Sequence, residues 1–452
     1  MVTTETPAGA SAGAAAGAQK ELSLADALEL ATGLHKNGLV DAAEELYRRI
    51  LSAVPEQPDA LHFLGLLRHD RGDRAEALEL VGRAVALAPA YLDAINNLGN
   101  MLVAEERLDD AEAAYRRVLA LRPEHAGALT NVGMLLFRRK DAAGAEAAFR
   151  RAIAADPGHA PAYHNLGLLM DESNRPEEAL AAYQKALLLR PYDAVSHRRV
   201  GAMLGYLGRR EEAAAVYRRW LELEPDSAVA RHLLASCSDQ GVPARASDEC
   251  VRGTFEGFAA SFDEVLARLK YRAPALVGDA VERFVGAPAG ALDVLDAGVG
   301  TGLCGPLLRP YARRLTGVDL SQPMLDKAAA RGGYDALEAG ELTAYMQARP
   351  GAFDLVASAD TLCYFGDLSE VTAAAATATR AGGHLVFTVE HATSQPAPGY
   401  QLNPHGRYSH AQAYVRRVLA ESGWTPLSIA EAHLRTEGGK PVDGLVVVAR
   451  RA

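Results

Sequence analysis

Three glycines at alternate positions follow an acid at the end of an apolar run in the second half of the chain. The segment reads Asp296-Ala-Gly298-Val-Gly300-Thr-Gly302 and continues the run Leu292–Leu295. A strand that ends in such a segment turns without side chains over its backbone, so a ligand can approach the amide groups closely. A carboxylate just before the turn can bind a cationic amine. The motif therefore predicts a ligand site at the end of a strand.

A second acid ends the next apolar run, in Val318-Asp319-Leu320. A carboxylate at this place can accept hydrogen bonds from both hydroxyls of a ribose. The glycines also fit the dinucleotide fingerprint, because Gly300, Gly302 and Gly305 have its spacing and Asp319 follows about 20 residues on. Two ligands therefore remain open at this point: a dinucleotide, and a nucleoside that carries an amino-acid end.

Later motifs favour the second ligand. Asp296 precedes the turn, where a negative charge gains nothing beside a pyrophosphate. Phe353–Val356, followed by Asp360, resembles the fourth-strand motif of the class I S-adenosylmethionine-dependent methyltransferases. Arg380–Gly383 and the apolar run after it resemble the motif that introduces the fifth strand of that family. The resemblance covers about residues 255–452 and implies S-adenosyl-L-methionine as cofactor and methyl transfer as activity.

The resemblance also implies roles for individual residues. The methionine end of the cofactor would be held by Asp296, Gly298, Gly300 and Gly302. Asp319 would hold the ribose, and Leu320 and Glu341 would contact the adenine. Structural roles remain open for the same residues. Asp319 would equally cap a helix that starts at Gln322, and the glycines would equally serve the turn alone.

A base is needed only if the methyl acceptor still holds its proton. Candidates lie beyond the fourth and fifth strands, and these catalytic candidates are Asp360, Tyr364, Glu390, His391, Tyr408 and His410. Arg407 belongs to a polar and aromatic segment that would line the acceptor pocket, or would form a surface loop with a helix cap at Ser409. The Asn/Asp-Pro-Pro-aromatic motif of many amino-group methyltransferases is missing after the fourth strand, which disfavours that type of nitrogen methylation. Paired acids like those of the protein arginine methyltransferases are not evident either.

Alternating apolar runs and helical stretches must position these residues. The pattern predicts a parallel sheet with helices on both faces and ligands at the carboxyl ends of the strands. The predicted strands are Leu292–Ala297, Leu315–Leu320, Ala336–Ala339, Phe353–Ala357 and His384–Val389, with Thr425–Glu431 and Gly444–Arg450 as an antiparallel end. The predicted helices are Pro323–Ala330, Leu368–Arg380 and Ala411–Glu421.

Prolines divide the first half of the chain into units of 34 residues, at Pro55, Pro89, Pro123, Pro157, Pro191 and Pro225. The same period relates three other sets, which are Ala43, Ala77, Ala111, Ala145, Ala179 and Ala213; Tyr47, Val81, Tyr115, Phe149, Tyr183 and Tyr217; and Gly65, Gly99, Gly133, Gly167 and Gly201. Small residues let two helices approach closely, the aromatic residue fills the wedge against the next repeat, and proline ends the second helix. The pattern resembles the tetratricopeptide repeat family over about residues 24–227. Residues 226–236 are predicted to form a capping helix that covers the last apolar face.

Three asparagines, Asn97, Asn131 and Asn165, occupy one register in the first helices of successive repeats. An amide offers a donor and an acceptor to a peptide backbone. The arrangement resembles the asparagine ladder in the repeats of the O-linked N-acetylglucosamine transferase. A peptide-binding ladder and a solvated helix face both remain open. Phe63 and Arg199 end the series on either side.

The expected fold class is therefore multidomain: an all-α tetratricopeptide superhelix followed by an α/β Rossmann-like methyltransferase domain with a seven-stranded sheet. The expected segments are a disordered tail (1–23), six repeats with a cap (24–237), a linker (238–254) and the methyltransferase domain (255–452). Apolar residues at helical spacing, Phe255, Phe258, Phe262 and Leu266, resemble the helix that many class I methyltransferases fold over the cofactor. A helix that packs the two domains together remains an equal alternative.

Composition limits the class of partner. A net charge of -10 argues against non-specific binding of nucleic acid or membrane, which needs excess Lys and Arg. The four scattered cysteines form no Cys-x-x-Cys pair, so no metal site is expected, and they suit a reducing cytoplasm. The tail has neither the basic start nor the apolar stretch of a signal peptide. The expected partner is a peptide or protein in the repeat groove, and a homo-oligomer is left open.

Three functions follow for testing. The first is methyl transfer to a peptide or protein presented by the repeat groove. The second is a small-molecule methyltransferase whose repeats recruit a partner or oligomerise. The third is a binding protein that keeps the cofactor fold without turnover.

Overall fold

The computed structural model describes residues 2–4, 20–237, 241–255, 259–437 and 439–452. It divides into two compact units, Met1–Leu169 and Met170–Ala452. The predicted disordered tail lies largely outside the described residues. Its two described pieces, β1 (Val2–Thr4) and β2 (Lys20–Leu22), pair antiparallel.

Helices make up the rest of the first unit, two for each repeat. They are α1 (Leu24–Lys36), α2 (Val40–Ala53), α3 (Pro58–Asp70), α4 (Arg74–Leu87), α5 (Leu92–Ala104), α6 (Leu108–Leu121), α7 (Ala126–Arg138), α8 (Ala142–Ala155) and α9 (Ala160–Glu172), which runs across the unit boundary. The second helix of each repeat ends two residues before a repeat proline, because proline has no amide donor for a further turn. The helical pairs that the 34-residue period predicts are therefore confirmed.

The repeat glycines explain how closely the two helices of a pair approach. A Cβ atom at Gly99 would lie 2.4 Å from the ring of Tyr115, and one at Gly133 would lie 2.6 Å from the ring of Phe149. Each aromatic ring thus packs on the glycine of its own repeat, which differs from the predicted wedge against the next repeat. Tyr47 in addition stacks on Phe63 of the following repeat, with ring centroids 6.1 Å apart.

The second unit begins with the last repeat helices and continues into the α/β part. Its helices before the sheet are α10 (Pro176–Leu189), α11 (Ala194–Tyr206), α12 (Arg210–Leu223), α13 (Ala228–Ser236), α14 (Asp248–Phe255), α15 (Phe262–Arg268) and α16 (Ala273–Val285). Helix α13 is the predicted capping helix. Helix α14 lies mostly within the segment predicted as a linker.

Nine strands form the sheet of the second unit. They are β3 (Leu292–Ala297), β4 (Ala312–Asp319), β5 (Ala336–Ala339), β6 (Phe353–Ser358), β7 (Thr379–His391), β8 (Tyr400–Leu402), β9 (Tyr408–His410), β10 (Trp424–Glu437) and β11 (Lys440–Arg451). The helices between them are α17 (Gly305–Leu308), α18 (Gln322–Arg331), α19 (Leu342–Gln347), α20 (Ser369–Ala378) and α21 (Gln412–Glu421).

Seven of these strands lie in the order β10-β11-β7-β6-β3-β4-β5. Strands β3 to β7 are parallel, and β11 runs antiparallel to both β7 and β10. The predicted seven-stranded sheet with an antiparallel end is confirmed, and β8 and β9 are an addition at the end of β7. The last two strands are longer than predicted, because apolar alternation does not show where a hairpin of polar residues ends.

Both faces of the sheet are buried. Consecutive residues of β3, Val294 and Leu295, belong to different apolar clusters, and so do Val386 and Phe387 of β7. This is the pattern of a parallel sheet that is covered by helices on both sides. The carboxyl ends of β3, β4, β6 and β7 therefore meet at one edge, and the residues that follow these strands lie close together there.

Candidate functional site

The glycine turn follows β3 and carries three glycines with left-handed backbone angles. Gly298, Gly300 and Gly302 have φ of 80°, 52° and 84°, which residues with a side chain rarely adopt. A Cβ atom at Gly298 would lie 2.2 Å from Thr361, so the turn is packed on that side. Nothing lies within 4 Å of the corresponding position at Gly300. The turn is thus closed at one end and open at its centre, as a backbone cradle for a ligand must be.

Asp319 at the end of β4 lies beside this opening. Its carboxylate accepts hydrogen bonds from the amides of Gly300 at 2.8 Å and Ser321 at 3.0 Å. Burial raises the pKa of Asp319 while these backbone donors lower it. The residue therefore holds the turn to the residue before α18. The N-cap residue of α18 is Ser321, so the alternative in which Asp319 caps this helix is wrong.

Asp296 lies deeper than its sequence position suggests. Its side chain is buried and accepts a hydrogen bond of 2.6 Å from the hydroxyl of Tyr334. Burial raises the pKa of Asp296 to about 7, against the effect of that hydrogen bond. Near neutral pH the carboxyl group is thus poised to lose its proton when a cation approaches.

Helix α15 lies against the glycine turn. The carboxylate of Asp263 accepts a hydrogen bond of 2.5 Å from the hydroxyl of Thr301 in the turn, and it pairs with Arg331 of α18 at 2.6 Å. Arg268 at the other end of α15 pairs with Glu172 of the repeat helix α9 at 3.1 Å. Helix α15 thus contacts both the glycine turn and the repeats. The four residues whose spacing predicted one helix do not share one: Phe255 ends α14, Phe262 and Leu266 lie in α15, and Phe258 lies outside the described residues.

A buried ionic network lies at the same edge of the sheet, beyond β6 and β7. We call it the Arg435 network, and its members are Asp360, Glu390, His405, Arg407, Arg435 and Glu437. Arg435 is 2% exposed. Its guanidinium group binds Asp360 at 2.7 Å, Glu437 at 2.6 Å and also Glu390. Arg407 binds Glu390 at 2.6 Å and Glu437 at 2.6 Å.

The two carboxylates that come from the ends of β6 and β7 differ in their electrostatics. Burial raises the pKa of Asp360, although Arg435 opposes the effect. Burial alone would also raise the pKa of Glu390, but His405, Arg407 and Arg435 hold it well below its ordinary value. Loss of hydration lowers the pKa of His405 to about 4 against the opposing charge of Glu390, although 36% of the His405 side chain is exposed.

Asp360 has an unusual backbone. Its φ of 56° places a residue with a side chain in the left-handed region, and its amide donates to the hydroxyl of Thr388 at 2.8 Å. Among the described residues, no hydrogen-bond donor reaches its buried atom Oδ1. Strain of this kind, at about 1–3 kcal/mol, persists where the surroundings impose it and is concentrated at functional sites.

Comparisons with known proteins agree with this arrangement. The family model described as "Methyltransferase domain" matches residues 295–387. Two models described as "Tetratricopeptide repeat" match residues 28–91 and 96–160, and residues 136–197. The human methyltransferase-like protein 27 is 36% identical over 104 residues, which are 23% of this chain and 42% of that protein.

A second relative decides the family. The ubiquinone biosynthesis O-methyltransferase of Ralstonia nicotianae is 30% identical over 173 residues, which are 35% of this chain and 71% of that protein. This chain belongs to the S-adenosylmethionine-dependent methyltransferases. Among solved structures, the 1,6-didemethyltoxoflavin-N1-methyltransferase of Burkholderia thailandensis is 20% identical, with a TM-score of 0.37 over 45% of this chain and 87% of its own.

The cofactor of this family, S-adenosyl-L-methionine, fits the residues of the glycine turn. The open position at Gly300 leaves space for a ligand against the backbone, and Asp319 supplies a carboxylate beside it. Leu320 follows as a half-buried apolar side chain. Glu341 caps α19, accepting from the amides of Thr343 at 3.0 Å and Ala344 at 2.7 Å. In its predicted role beside the adenine, the Glu341 carboxylate would contact the ligand while it also caps α19.

The methyltransferase domain brings only some of the predicted catalytic side chains together. Asp360 and Glu390 share Arg435, and the charges of this network act on Tyr364. His410 and Tyr408 are fully buried and bind backbone oxygens: His410 Nε2 lies 2.9 Å from the carbonyl of Phe365, and the Tyr408 hydroxyl donates to Pro243 at 2.7 Å.

The remaining predicted residues lie apart from this group or have protein partners. His391 Nδ1 lies 3.7 Å from Glu431 at the end of β7. Arg407 binds two carboxylates of the network. Its predicted contact with the acceptor would have to form in addition to these two ion pairs. Within the repeats, the Asn97 amide lies 2.9 Å from His62 Nε2, and the Asn131 amide donates to Asn96 and Asn100. Asn165 is half-buried.

Sequence reasoning missed Arg435 and Glu437, the centre of the network. They lie on β10, where the register with β11 shifts between His433 and Arg435. A bulge redirects a side chain, and an arginine in a strand of alternating residues carries no sign of it. Glu437 pairs with Lys440 at the end of the β10–β11 hairpin, and residue 438 lies outside the described residues.

Among the described residues, no helix has the length and apolar character that a bilayer crossing requires.

Proposed function

We propose that this protein transfers the methyl group of S-adenosyl-L-methionine to an acceptor that binds between the glycine turn and the Arg435 network. The observation that carries the proposal is the open glycine turn beside Asp319 in a chain of this family. The cofactor supplies a methyl group that its sulfonium already activates. The protein's own task is then to align the acceptor and exclude water.

Asp360 is the group we assign as base for an acceptor that still holds its proton. It has a raised pKa and an Oδ1 atom without a donor among the described residues, and it follows the fourth strand of the sheet. Glu390 has a lowered pKa and two arginine partners, so it stays ionised and holds Arg407 and Arg435 in place. Tyr364 would flank the acceptor.

We further propose a peptide or protein as acceptor, held by the repeats. The repeated register of Asn97, Asn131 and Asn165 on the first helices supports it, since each amide offers donors and an acceptor. The hydrogen bonds that Asn97 and Asn131 make within the repeats do not use the Asn131 oxygen. We also propose that the methyltransferase domain begins near residue 255 and that the protein is cytoplasmic. The proposal leaves open whether the chain forms a homo-oligomer.

A small-molecule acceptor is the second candidate. The relative from Ralstonia nicotianae is an O-methyltransferase of ubiquinone biosynthesis. That comparison covers 35% of this chain. In this case the repeats would recruit a partner or oligomerise.

Calorimetry and a transfer assay test the proposal. We expect the full chain to bind S-adenosylhomocysteine and not NAD, and Asp319→Ala to weaken this binding about 10-fold or more, because hydrogen bonds to a charged group contribute about 1.5–3 kcal/mol. Asp326→Ala, on the exposed side of α18, is the matched control. Tight NAD binding without S-adenosylhomocysteine binding would refute the proposal.

Labelled S-adenosylmethionine and a cell extract then identify the acceptor class. Transfer to polypeptide that is lost in the triple variant Asn97→Ala, Asn131→Ala, Asn165→Ala supports the repeat groove, with Asn37→Ala outside the register as control. Unchanged transfer to polypeptide would contradict the groove. Label in small molecules alone would favour the second candidate, and cofactor binding without any transfer would indicate a binding protein.

A further inference from the structure

The turn between β8 and β9 carries two members of the Arg435 network. It runs from Asn403 to Arg407, and the amide of Gly406 closes it by donating to the carbonyl of Asn403 at 2.8 Å. Nε2 of His405 lies 3.4 Å from the carboxylate of Glu390, and Arg407 binds the same carboxylate at 2.6 Å. The position of this turn therefore decides whether the two side chains reach the network.

The repeat part of the chain holds the turn at two points. At the first, Nε2 of His232 in the capping helix α13 lies 2.9 Å from the carbonyl of Gly406. Because a carbonyl oxygen only accepts, the imidazole donates this hydrogen bond from Nε2. At the second, a Cβ atom at Gly205 of α11 would lie 2.6 Å from Cβ of Pro404. All of these residues belong to the second compact unit.

The capping helix packs closely on the backbone of the turn. Gly406 has a φ of 88°, and a Cβ atom there would lie 3.1 Å from the side chain of Leu233 in α13. His232 is 7% exposed, and its ring meets that of Tyr408 edge-on with centroids 5.9 Å apart. Burial lowers the pKa of His232, against the effect of its bond to Gly406, so the donor is a neutral imidazole near pH 7.

The segment after the capping helix contacts the other loop of the acceptor side. The amide of Ala246 donates to the carbonyl of Tyr364 at 2.8 Å, and the carbonyl of Ala244 accepts from the amide of Gly366 at 2.8 Å. Tyr364 ends the loop that follows β6 and carries Asp360. The capping helix and the segment after it therefore contact both loops that carry the acceptor-side residues.

A second buried histidine of the repeats offers a comparison. His197 of α11 is 2% exposed, and its Nε2 lies 2.9 Å from the carbonyl of Pro191. This bond has the same kind of donor and acceptor and the same length as the bond of His232, but it stays within the repeats. The bond of His232 instead spans 174 residues and ends in the methyltransferase domain.

We propose that His232 is a positioning residue of the methyltransferase site, which holds the turn from Asn403 to Arg407 so that Arg407 keeps its place beside Glu390. The inference rests on the proposed function, since it concerns the charges around the assigned base Asp360. It makes the cap of the repeats a part of the transfer site.

Loss of this support would change the electrostatics of Asp360 in a defined direction. Burial raises the pKa of Asp360, the two arginines lower it, and the two glutamates raise it further; these charged groups are Arg435, Glu390, Arg407 and Glu437. The other titratable groups that interact with it keep their protons near pH 7, because burial raises their pKa, and they are Tyr271, Cys363 and Tyr364. When the turn moves away, the positive charge of Arg407 moves with it, and the pKa of Asp360 rises.

Hydrogen exchange of the full chain, followed by mass spectrometry, tests whether His232 holds the turn. His232→Leu removes the donor, and we expect the amides of Asn403 and Gly406 to exchange about tenfold faster, because a lost hydrogen bond changes an opening equilibrium by about that factor. In His232→Gln the side-chain amide can donate to the same carbonyl, so exchange should again be slow. His197→Leu is the matched control and should leave exchange of the turn unchanged.

The pH profile of transfer from labelled S-adenosylmethionine to a cell extract gives the second readout. In His232→Leu we expect the acid limb assigned to Asp360 to move upward by about one pH unit, which is about tenfold in rate on that limb. His232→Gln should return the limb toward its place in the unaltered chain. A merely structural role would lower the rate by one factor at every pH, and this is the behaviour expected of His197→Leu.

Binding of S-adenosylhomocysteine, measured first by calorimetry, shows whether each variant folds. If His232→Leu does not bind it, Gly205→Ala takes its place, because the new Cβ atom would press on Pro404 and displace the same turn.

Two results would overturn the inference. One is exchange of the turn in His232→Leu at the rate of the unaltered chain, and the other is an acid limb that stays in place although the turn exchanges faster. If the unaltered chain neither binds S-adenosylhomocysteine nor transfers a methyl group, the proposed function fails. Exchange of the turn would then still decide whether His232 holds it, so the two failures are distinguishable.

Discussion

The glycine turn and the Arg435 network lie at the same edge of one sheet and are built in different ways. The turn consists of backbone and one carboxylate, all within 24 residues of each other along the chain, from Asp296 to Asp319. The network joins charged side chains from Asp360 to Glu437, and its stability depends on mutual neutralisation. The first can bind a cofactor of constant shape, while the second can be adapted to a particular acceptor. We therefore expect substitutions in the network to lower the free energy of unfolding and substitutions in the turn to weaken cofactor binding.

The largest effect is expected for Arg435→Met, which leaves the buried Glu390 and the partly buried Asp360 and Glu437 with Arg407 as their remaining arginine. Removing one partner of a buried ion pair costs about 3–5 kcal/mol. With Trp220 replaced by Phe, denaturation followed by the fluorescence of Trp424 measures this loss in the methyltransferase domain. Arg417→Met removes an exposed pair with Glu421 and should cost no more than about 1 kcal/mol. Equal losses in both variants would show that the network is not a stabilising unit.

Asp360→Asn tests the acceptor side without a change of shape. Loss of a general base lowers the rate about 10²–10⁴-fold. In the unaltered chain the raised pKa of Asp360 predicts a rate that falls as the pH drops through that pKa, since the protonated acid cannot accept a proton. This acid limb should be absent from the pH profile of the variant. A variant that keeps both the rate and the limb would remove Asp360 from the chemistry, and unchanged S-adenosylhomocysteine binding serves as the control.

The release of protons from Asp296 on ligand binding tests its predicted place in the cofactor site. Because its pKa is raised to about 7 in the folded chain, its contribution to stability is present below the unfolded pKa near 4 and is lost as the pH rises toward 7. A cationic amine near the carboxylate would lower that pKa, so we expect S-adenosylhomocysteine to release a fraction of a proton near pH 7. Calorimetry in buffers of different ionisation enthalpy measures the release. Asp296→Asn should abolish it, whereas release that persists in this variant would assign the proton to another group.

The smallest effect concerns the repeats. Gly99→Ala places a Cβ atom 2.4 Å from the ring of Tyr115 and should cost about 1–3 kcal/mol. Gly82→Ala, in α4, has nothing within 4 Å of the new atom and should stabilise by about 0.5–1 kcal/mol, as alanine favours helix. Thermal unfolding followed by circular dichroism compares the two. If both variants are stabilised, close packing of Tyr115 does not need the glycine.

Local patterns in the sequence predicted the repeats and the strands on either side of the glycine turn. The repeat helices follow from a 34-residue period in which proline, glycine and aromatic residues act within one helix pair. The strands around Asp296 and Asp319 follow from apolar runs that end in acids. Boundaries were less accurate: β7 begins at Thr379, where the sequence predicts the end of a helix at Arg380. The side-chain direction of Asp296, toward Tyr334, was not predictable, because their contact spans 38 residues.

The sequence by itself determined the order of elements and the glycine turn, because each of these depends on residues close together in the chain. The kind of cofactor followed from the resemblance of the turn and of the later strand motifs, taken together, to one family. The tertiary structure decided which charges meet. It placed Arg435 among Asp360, Glu390 and Glu437 through a strand register and a bulge. Buried charges act on whatever group is nearest in space, and no local pattern encodes that neighbour.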